Sequence, residues 1–181
     1  MDFGSKEAFT RLLKQKHVRV LRAEWVLEWH KTHPRRGLPR RQEIPAHAFL
    51  DPDTVTEEQW KDLLVISVSY CWVTKQHPDP EGYHLATLAA LVTKFVAGSA
   101  GAAKGRTYTD PSTGQTFTGE QLAAANLLFG AGDGRPVGIF FDFCSLPQKP
   151  YRTPEEEALF KEGLASVNSW YSNAHTLVWR L

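Results

Sequence analysis

The chain is poor in cysteine, in long apolar runs and in net charge, and each shortage closes off a class of protein. Two cysteines in 181 residues are too few for a disulfide framework. Cys71 and Cys144 also lack the paired spacing of a zinc site, so both are expected to be reduced and buried. No apolar stretch approaches the roughly 18 residues that a membrane helix requires. The opening Met1-Asp2-Phe3-Gly4-Ser5-Lys6-Glu7 carries neither a charged-then-apolar leader nor a myristoylation pattern, and a cytoplasmic chain is the expectation. The glycines between 101 and 105 lack the Gly-Lys-Ser/Thr of a phosphate loop. Gly130-Ala131-Gly132-Asp133-Gly134 precedes a strand, whereas a dinucleotide fingerprint follows one. His77, Asp79, Glu81 and His84 match no common ligand spacing, so no metal and no resident cofactor are expected.

What is present begins with six Trp and ten Phe, enough large apolar side chains for one full core. The formal net charge is only +1, but residues 1–50 hold 11 Lys plus Arg against 5 Asp plus Glu, and the remainder holds 10 against 15. A basic arm followed by an acidic body is the implied organisation: residues 1–60 as helical arm and linker, residues 61–181 as the main domain. The arm's arginines come with prolines and lack interleaved aromatics, so a nucleic-acid surface is not expected. Short amphipathic helices are predicted from about 6 to 15 and from 23 to 30, with residues 17–21 as an extended connector. The stretch through Pro34-Arg35-Arg36-Gly37-Leu38-Pro39-Arg40-Arg41 reads as a linker, or as a clamp laid over the body. Trp25 and Trp29 are expected to pack on that body.

The body is organised around Val137-Gly138-Ile139-Phe140-Phe141-Asp142-Phe143-Cys144. It is apolar on both alternating faces until Asp142, as a central strand of an α/β sheet must be. Residues 63–70 form a second strand of the same kind, and the long crossover between them predicts parallel pairing. Thr153-Pro154-Glu155-Glu156 opens a helix, with Thr153 as N-cap and Glu156 closing a capping box. Residues 175–179 form a third strand, on the far side of 64–70. Capping boxes at Thr56 and Thr118, a helix from about 83 to 96 and a hairpin near 106–117 complete the outline. The fold class is α/β: a doubly wound, flavodoxin-like parallel sheet with helices on both faces. Its ligand crevice lies beyond the strands' carboxyl ends, at Tyr70 to Trp72 and the loop from Asp142 to Arg152.

The ordered set Ser69-Tyr70-Cys71-Trp72, then Phe141-Asp142 with Gln148 a few residues on, then Tyr171-Ser172-Asn173-Ala174 resembles the heterokaryon-incompatibility (HET) domain, which is itself similar to the Toll/interleukin-receptor (TIR) fold. The similarity spans about residues 63 to 180, and it departs from the family pattern in lacking a glycine after Trp72. The resemblance implies a signalling or immunity domain that self-associates, and in some relatives an NAD glycohydrolase releasing nicotinamide. It implies nucleotide contacts at Ser69, Tyr70, Trp72, Asp142 and Gln148, and a catalytic Glu near the start of the following helix.

Helical phase selects Glu157 for that role. Ala174, Tyr171, Val167, Leu164 and Phe160 step back along one stripe whose next member is Glu157, while Glu162 falls on the opposite side. Partial burial beside Asp142 would raise at least one carboxyl pKa. The structural alternatives remain open: acids at a helix start complement its dipole, Asp142 can bond the amides of its own loop, and Tyr70 and Trp72 can be core aromatics. On this reading the chain is either an enzyme acting on NAD or a non-enzymatic self-association module.

Overall fold

The computed structural model describes residues 6–55, 63–97, 107–109, 114–118 and 136–181. The chain forms two compact units, Met1–Ala89 with Pro136–Leu181, and Ala90–Arg135. The helices expected after Thr56 and Thr118 lie outside the described residues, as do the glycines at 101–105 and 130–134.

In the larger unit, Lys6–Lys14 forms α1, Leu21–Arg22 forms β1 and Ala23–Thr32 forms α2. Two 3₁₀ turns, Arg41–Glu43 and Ala46–Ala48, follow. Leu64–Ser69 is β2, and Tyr83–Ala97 is α3, which continues into the second unit. There Thr107–Thr109 (β3) pairs antiparallel with Thr116–Thr118 (β4), with Gly114 at a positive φ of 70° in the connection. Back in the larger unit, Val137–Phe140 is β5, Asp142–Ser145 a single helical turn (α4), Pro154–Ser172 the long α5 and Thr176–Arg180 the last strand, β6. No helix among the described residues is long and apolar enough to cross a membrane.

The sheet order is β1-β5-β2-β6. β2 pairs in parallel with β5, Ile66 opposite Ile139, and in parallel with β6, Ile66 opposite Leu177. The inner position of β2 follows from its composition. Val65, Ile66 and Val68 are fully buried although they point to opposite faces, so both faces are covered. On one face Val65 and Phe140 pack with Trp170 of α5 and with Leu13, Val18, Val20 and Leu50. The Phe140 and Trp170 rings stack 5.2 Å apart, and Ser67 Oγ donates to the Trp170 carbonyl at 2.6 Å.

Three expectations need correction here. The sheet is mixed: β1 runs antiparallel to β5, with Leu21 opposite Ile139. The reason lies partly in Gly138, where a Cβ would sit 2.5 Å from Val20 Cγ1 and 3.0 Å from Leu50 Cδ1. Its missing side chain leaves room for the N-terminal segment against the sheet. Accordingly, residues 6–55 are no separate arm. Val18, Val20, Leu21 and Val26 are core residues, and Leu50 N donates to the Val20 carbonyl at 2.8 Å. Trp25 and Trp29 contribute less than they promised, remaining half-buried and stacked on each other with centroids 5.4 Å apart.

The third correction concerns β5, which stops at Phe140 and does not continue to residue 143. Cys144 N and Ser145 N both donate to the Phe141 carbonyl at 2.8 Å, and Ser145 Oγ accepts from Phe141 N at 3.1 Å. The backbone groups after Phe140 are thereby satisfied by a tight turn in place of a ladder.

Candidate functional site

α5 begins as its sequence dictates. Thr153 Oγ1 accepts from Glu156 N at 3.4 Å and Pro154 occupies the first turn. The reciprocal half of the box is displaced, because Glu156 Oε2 accepts from Arg152 N at 2.7 Å and from Gln42 Nε2 at 3.2 Å. Glu156 therefore faces the body. Glu157 does not: it is exposed and pairs with Lys161 one turn on, at 2.8 Å. Lys161 holds its carboxyl below the usual range, with a smaller contribution from Lys149.

The expected inward stripe holds at Phe160, Val167 and Tyr171, which pack against the core, and fails at Glu157, Leu164 and Ala174, which are exposed. The face of α5 that packs inward runs through Glu156, Phe160, Gly163, Val167 and Trp170, while Leu164 (49% exposed) and Ala174 point to solvent. Gly163 sets this rotation: a Cβ there would meet Leu146 Cδ2 at 2.3 Å and the His17 carbonyl at 3.3 Å. The carboxyl of Glu157 is not raised: Glu155, Glu156 and Glu157 are all held low, chiefly by Thr153, the Arg152 amide and Lys161 respectively. Glu162 is half-exposed, with an oxygen 3.0 Å from His17 Nε2.

The strand-end motifs do meet. Tyr70 stacks on Phe141 at 4.0 Å and its hydroxyl donates to Asp142 Oδ1, which also accepts from Phe143 N at 2.6 Å. Burial first, and the Asp142 charge second, push the Tyr70 phenol far up, so it stays a donor. Asp142 is consequently a structural carboxylate that fastens β2 to α4. Ser69 lies at the end of β2, its carbonyl accepting from Leu181 N at 2.9 Å. Trp72 is 45% exposed and meets the Phe143 ring edge-on at 5.7 Å. Gln148 is tied through its backbone to Gln42: Gln148 N donates to Gln42 Oε1 at 3.0 Å, and Gln42 Nε2 donates to the Gln148 carbonyl at 2.6 Å. Cys144 is buried as expected, but Cys71 is exposed.

The described cavity at these loops, about 330 Å³, is lined by none of Ser69, Tyr70, Trp72, Asp142, Gln148 or Glu157. One wall is a strap, residues 36–43, contributing Arg36, Gly37, Pro39, Arg40 and Glu43; the other is Gln76, His77 and Pro80 after β2, with Phe143 and Lys149. The strap is seated closely. A Cβ on Gly37 would lie 1.8 Å from the Asp79 carbonyl oxygen, and one on Gly82, which sits at φ 75°, would lie 3.1 Å from the Arg36 backbone. Trp29 Nε1 donates to the Gly37 carbonyl at 3.2 Å. His77 accepts at Nδ1 from Asp79 N (2.9 Å), which leaves the proton on Nε2 to donate to the Leu38 carbonyl (3.1 Å). Burial lowers the His77 pKa, matching that neutral tautomer. Asp79 itself is 2% exposed, with one oxygen accepting from Leu85 N at 2.8 Å.

At the strap's far end Arg41 donates to three carbonyls, those of Lys16, His17 and Ser145. Burial, then repulsion from Arg19, brings its pKa down to about 10, so it remains a cation and a full set of donors at neutral pH. Sequence reasoning anticipated a clamp but none of its anchors. Gly37, Arg41, Gln42 and His77 act through partners far away in the chain, and the only local sign of them was the dense Pro-Arg-Gly pattern.

Chemically the cavity is cationic. Arg36, Arg40 and Lys149 face one carboxylate, Glu43, which Arg40 Nε already binds at 2.7 Å. Compared with family models, with curated proteins and with solved structures, the chain matches none.

Proposed function

We propose that the chain is a non-enzymatic interaction module of the HET/TIR-like kind, acting by self-association in a signalling or immunity role. The observation that carries this reading is the bond between Tyr70 and Asp142. It unites the two strand-end motifs on which the resemblance rests and uses the conspicuous acid for structure. The arrangement of β2 between parallel β5 and β6 agrees with a TIR-like core.

Cleaving NAD at the nicotinamide–ribose bond calls for a carboxylate free to stabilise an oxocarbenium-like ribosyl group. Asp142, Glu156 and Glu157 are each bonded elsewhere, to Tyr70, to Arg152 and Gln42, and to Lys161. Glu43, in the cavity wall, is bonded to Arg40. The non-enzymatic alternative is therefore favoured over the hydrolase.

The test pairs two measurements on the whole chain. Incubation with NAD is expected to release no nicotinamide above buffer, and sedimentation velocity over a hundredfold concentration range is expected to show growing assemblies. Nicotinamide release that Glu157→Gln or Asp142→Asn abolishes would overturn the reading in favour of the hydrolase. A strict monomer throughout the range would overturn self-association.

A further inference from the structure

We propose that the cavity between the strap and the strand-end loops is a binding site for the di- or triphosphate group of a small ligand. This goes beyond the assembly reading and stands without it, since it rests only on the strap, the loop after β2 and residues 143–149. The volume, about 330 Å³, is that of a small-molecule site. Its polar lining is strongly one-signed, with Arg36, Arg40 and Lys149 against Glu43.

The three cations differ in how far they are already used. Arg40 is held in place, its Nε on Glu43 at 2.7 Å and its Nη1 on the Pro150 carbonyl at 3.0 Å, so it presents a preoriented charge. Arg36 lies over the Trp29 ring at 5.8 Å, a contact that leaves its donors free. Lys149 forms no hydrogen bond or ion pair among the described residues, and its charge acts on Glu157 at longer range. Two uncommitted cations beside an anchored third suit an anion with several oxygens, and guanidinium forks match phosphate geometry. His77 adds no charge at neutral pH, because its two nitrogens are occupied by Asp79 N and the Leu38 carbonyl. Phe143, Pro39 and Pro80 supply an apolar rim.

Titration calorimetry of the whole chain with inorganic pyrophosphate, at fixed ionic strength, tests the site. Binding of one equivalent is expected, with orthophosphate and citrate each at least tenfold weaker. Arg36→Ala and Lys149→Ala should each weaken pyrophosphate about tenfold, and the Arg36→Glu/Lys149→Glu double variant should abolish binding while the far-ultraviolet circular dichroism spectrum stays unchanged. Arg35→Ala, an exposed neighbour outside the lining, should have no effect. The proposal is overturned if pyrophosphate does not bind, if citrate binds as well as pyrophosphate, if the double variant retains affinity, or if Arg35→Ala weakens binding as much as Arg36→Ala. That last result would mean a diffuse positive field in place of a site.

Discussion

Replacing Gly37 with alanine is the most direct test of how the strap is seated. The new methyl carbon would stand 1.8 Å from the Asp79 carbonyl oxygen, 2.9 Å from its carbon and 2.9 Å from His77 Cε1, where ordinary contact begins at 3.4 Å. Two of these neighbours are backbone atoms, so no side-chain rotation relieves the clash. The strap has to lift by more than an ångström, which breaks the bonds from Trp29 Nε1 to the Gly37 carbonyl and from His77 Nε2 to the Leu38 carbonyl. Losing two such bonds costs about 1–3 kcal/mol, and overpacking adds a comparable amount. The lower entropy of the unfolded alanine chain returns less than about 1 kcal/mol. The net expectation is a loss of roughly 2–5 kcal/mol, or a melting temperature lower by about 5–15 °C. Urea denaturation followed by tryptophan fluorescence reads this directly, because Trp29 is stacked on Trp25 and on His33 beside the strap. A Gly37→Ala protein within about 0.5 kcal/mol of the parent would show that the strap is not held against Asp79 as described.

Three other outcomes follow from the site. Glu156→Ala should lower the melting temperature by a few degrees, because it unties α5 from Arg152 and Gln42, while Glu157→Ala should leave it unchanged; the reverse order would restore the phase first expected of α5. His77 is neutral in the fold with a lowered pKa, so below about pH 6.5 the unfolded chain takes up a proton that the fold refuses. Stability should fall as pH drops below about 6.5, by less in His77→Gln, and an equal fall in both proteins would remove His77 as the cause. Tyr70 and Tyr171 are held protonated, by burial first and Asp142 second, so the stability they confer is complete below about pH 10 and is lost as pH rises. Absorbance titration should show both phenols ionising only with unfolding, and reversible ionisation of all five tyrosines near pH 10 in the folded protein would contradict the burial.

The parallel core was legible because Leu64–Ser69 and Val137–Phe140 are apolar on both faces, a pattern that few environments other than an inner strand satisfy. The caps of α5 were legible for an equally local reason, since Thr153 and Pro154 act on their own helix start. Its rotation was not. The inner face of α5 includes Gly163, Ser166 and Ser169, small residues, of which Gly163 allows close approach to Leu146 and the His17 carbonyl. Hydrophobic periodicity scores such residues as polar or neutral, so the stripe through Leu164 looked better than the one that packs. The cavity was hidden for another reason. Its walls are set by side-chain-to-backbone bonds from Arg41 and Gln42 across more than a hundred residues, to Ser145 and Gln148, and a single sequence gives no sign of such partners.

Those same long spans bear on how the protein is made. β1 pairs with β5, Arg19 N donates to the Ser145 carbonyl, and Arg40 reaches Pro150, so a share of the partners of the first fifty residues exists only after residue 137 has been synthesised. Until then Leu13, Val18 and Val20 have only the earlier part of their core, Leu50, Leu63 and Val65, to pack against. A chain emerging from its N-terminus must carry this apolar segment incompletely covered until β5 and α5 have been made. Closing that large loop is expected to slow folding for the chain's length. Over that interval the nascent chain is open to aggregation and to capture by chaperones, and substitutions that leave the finished fold untouched can still lower its yield.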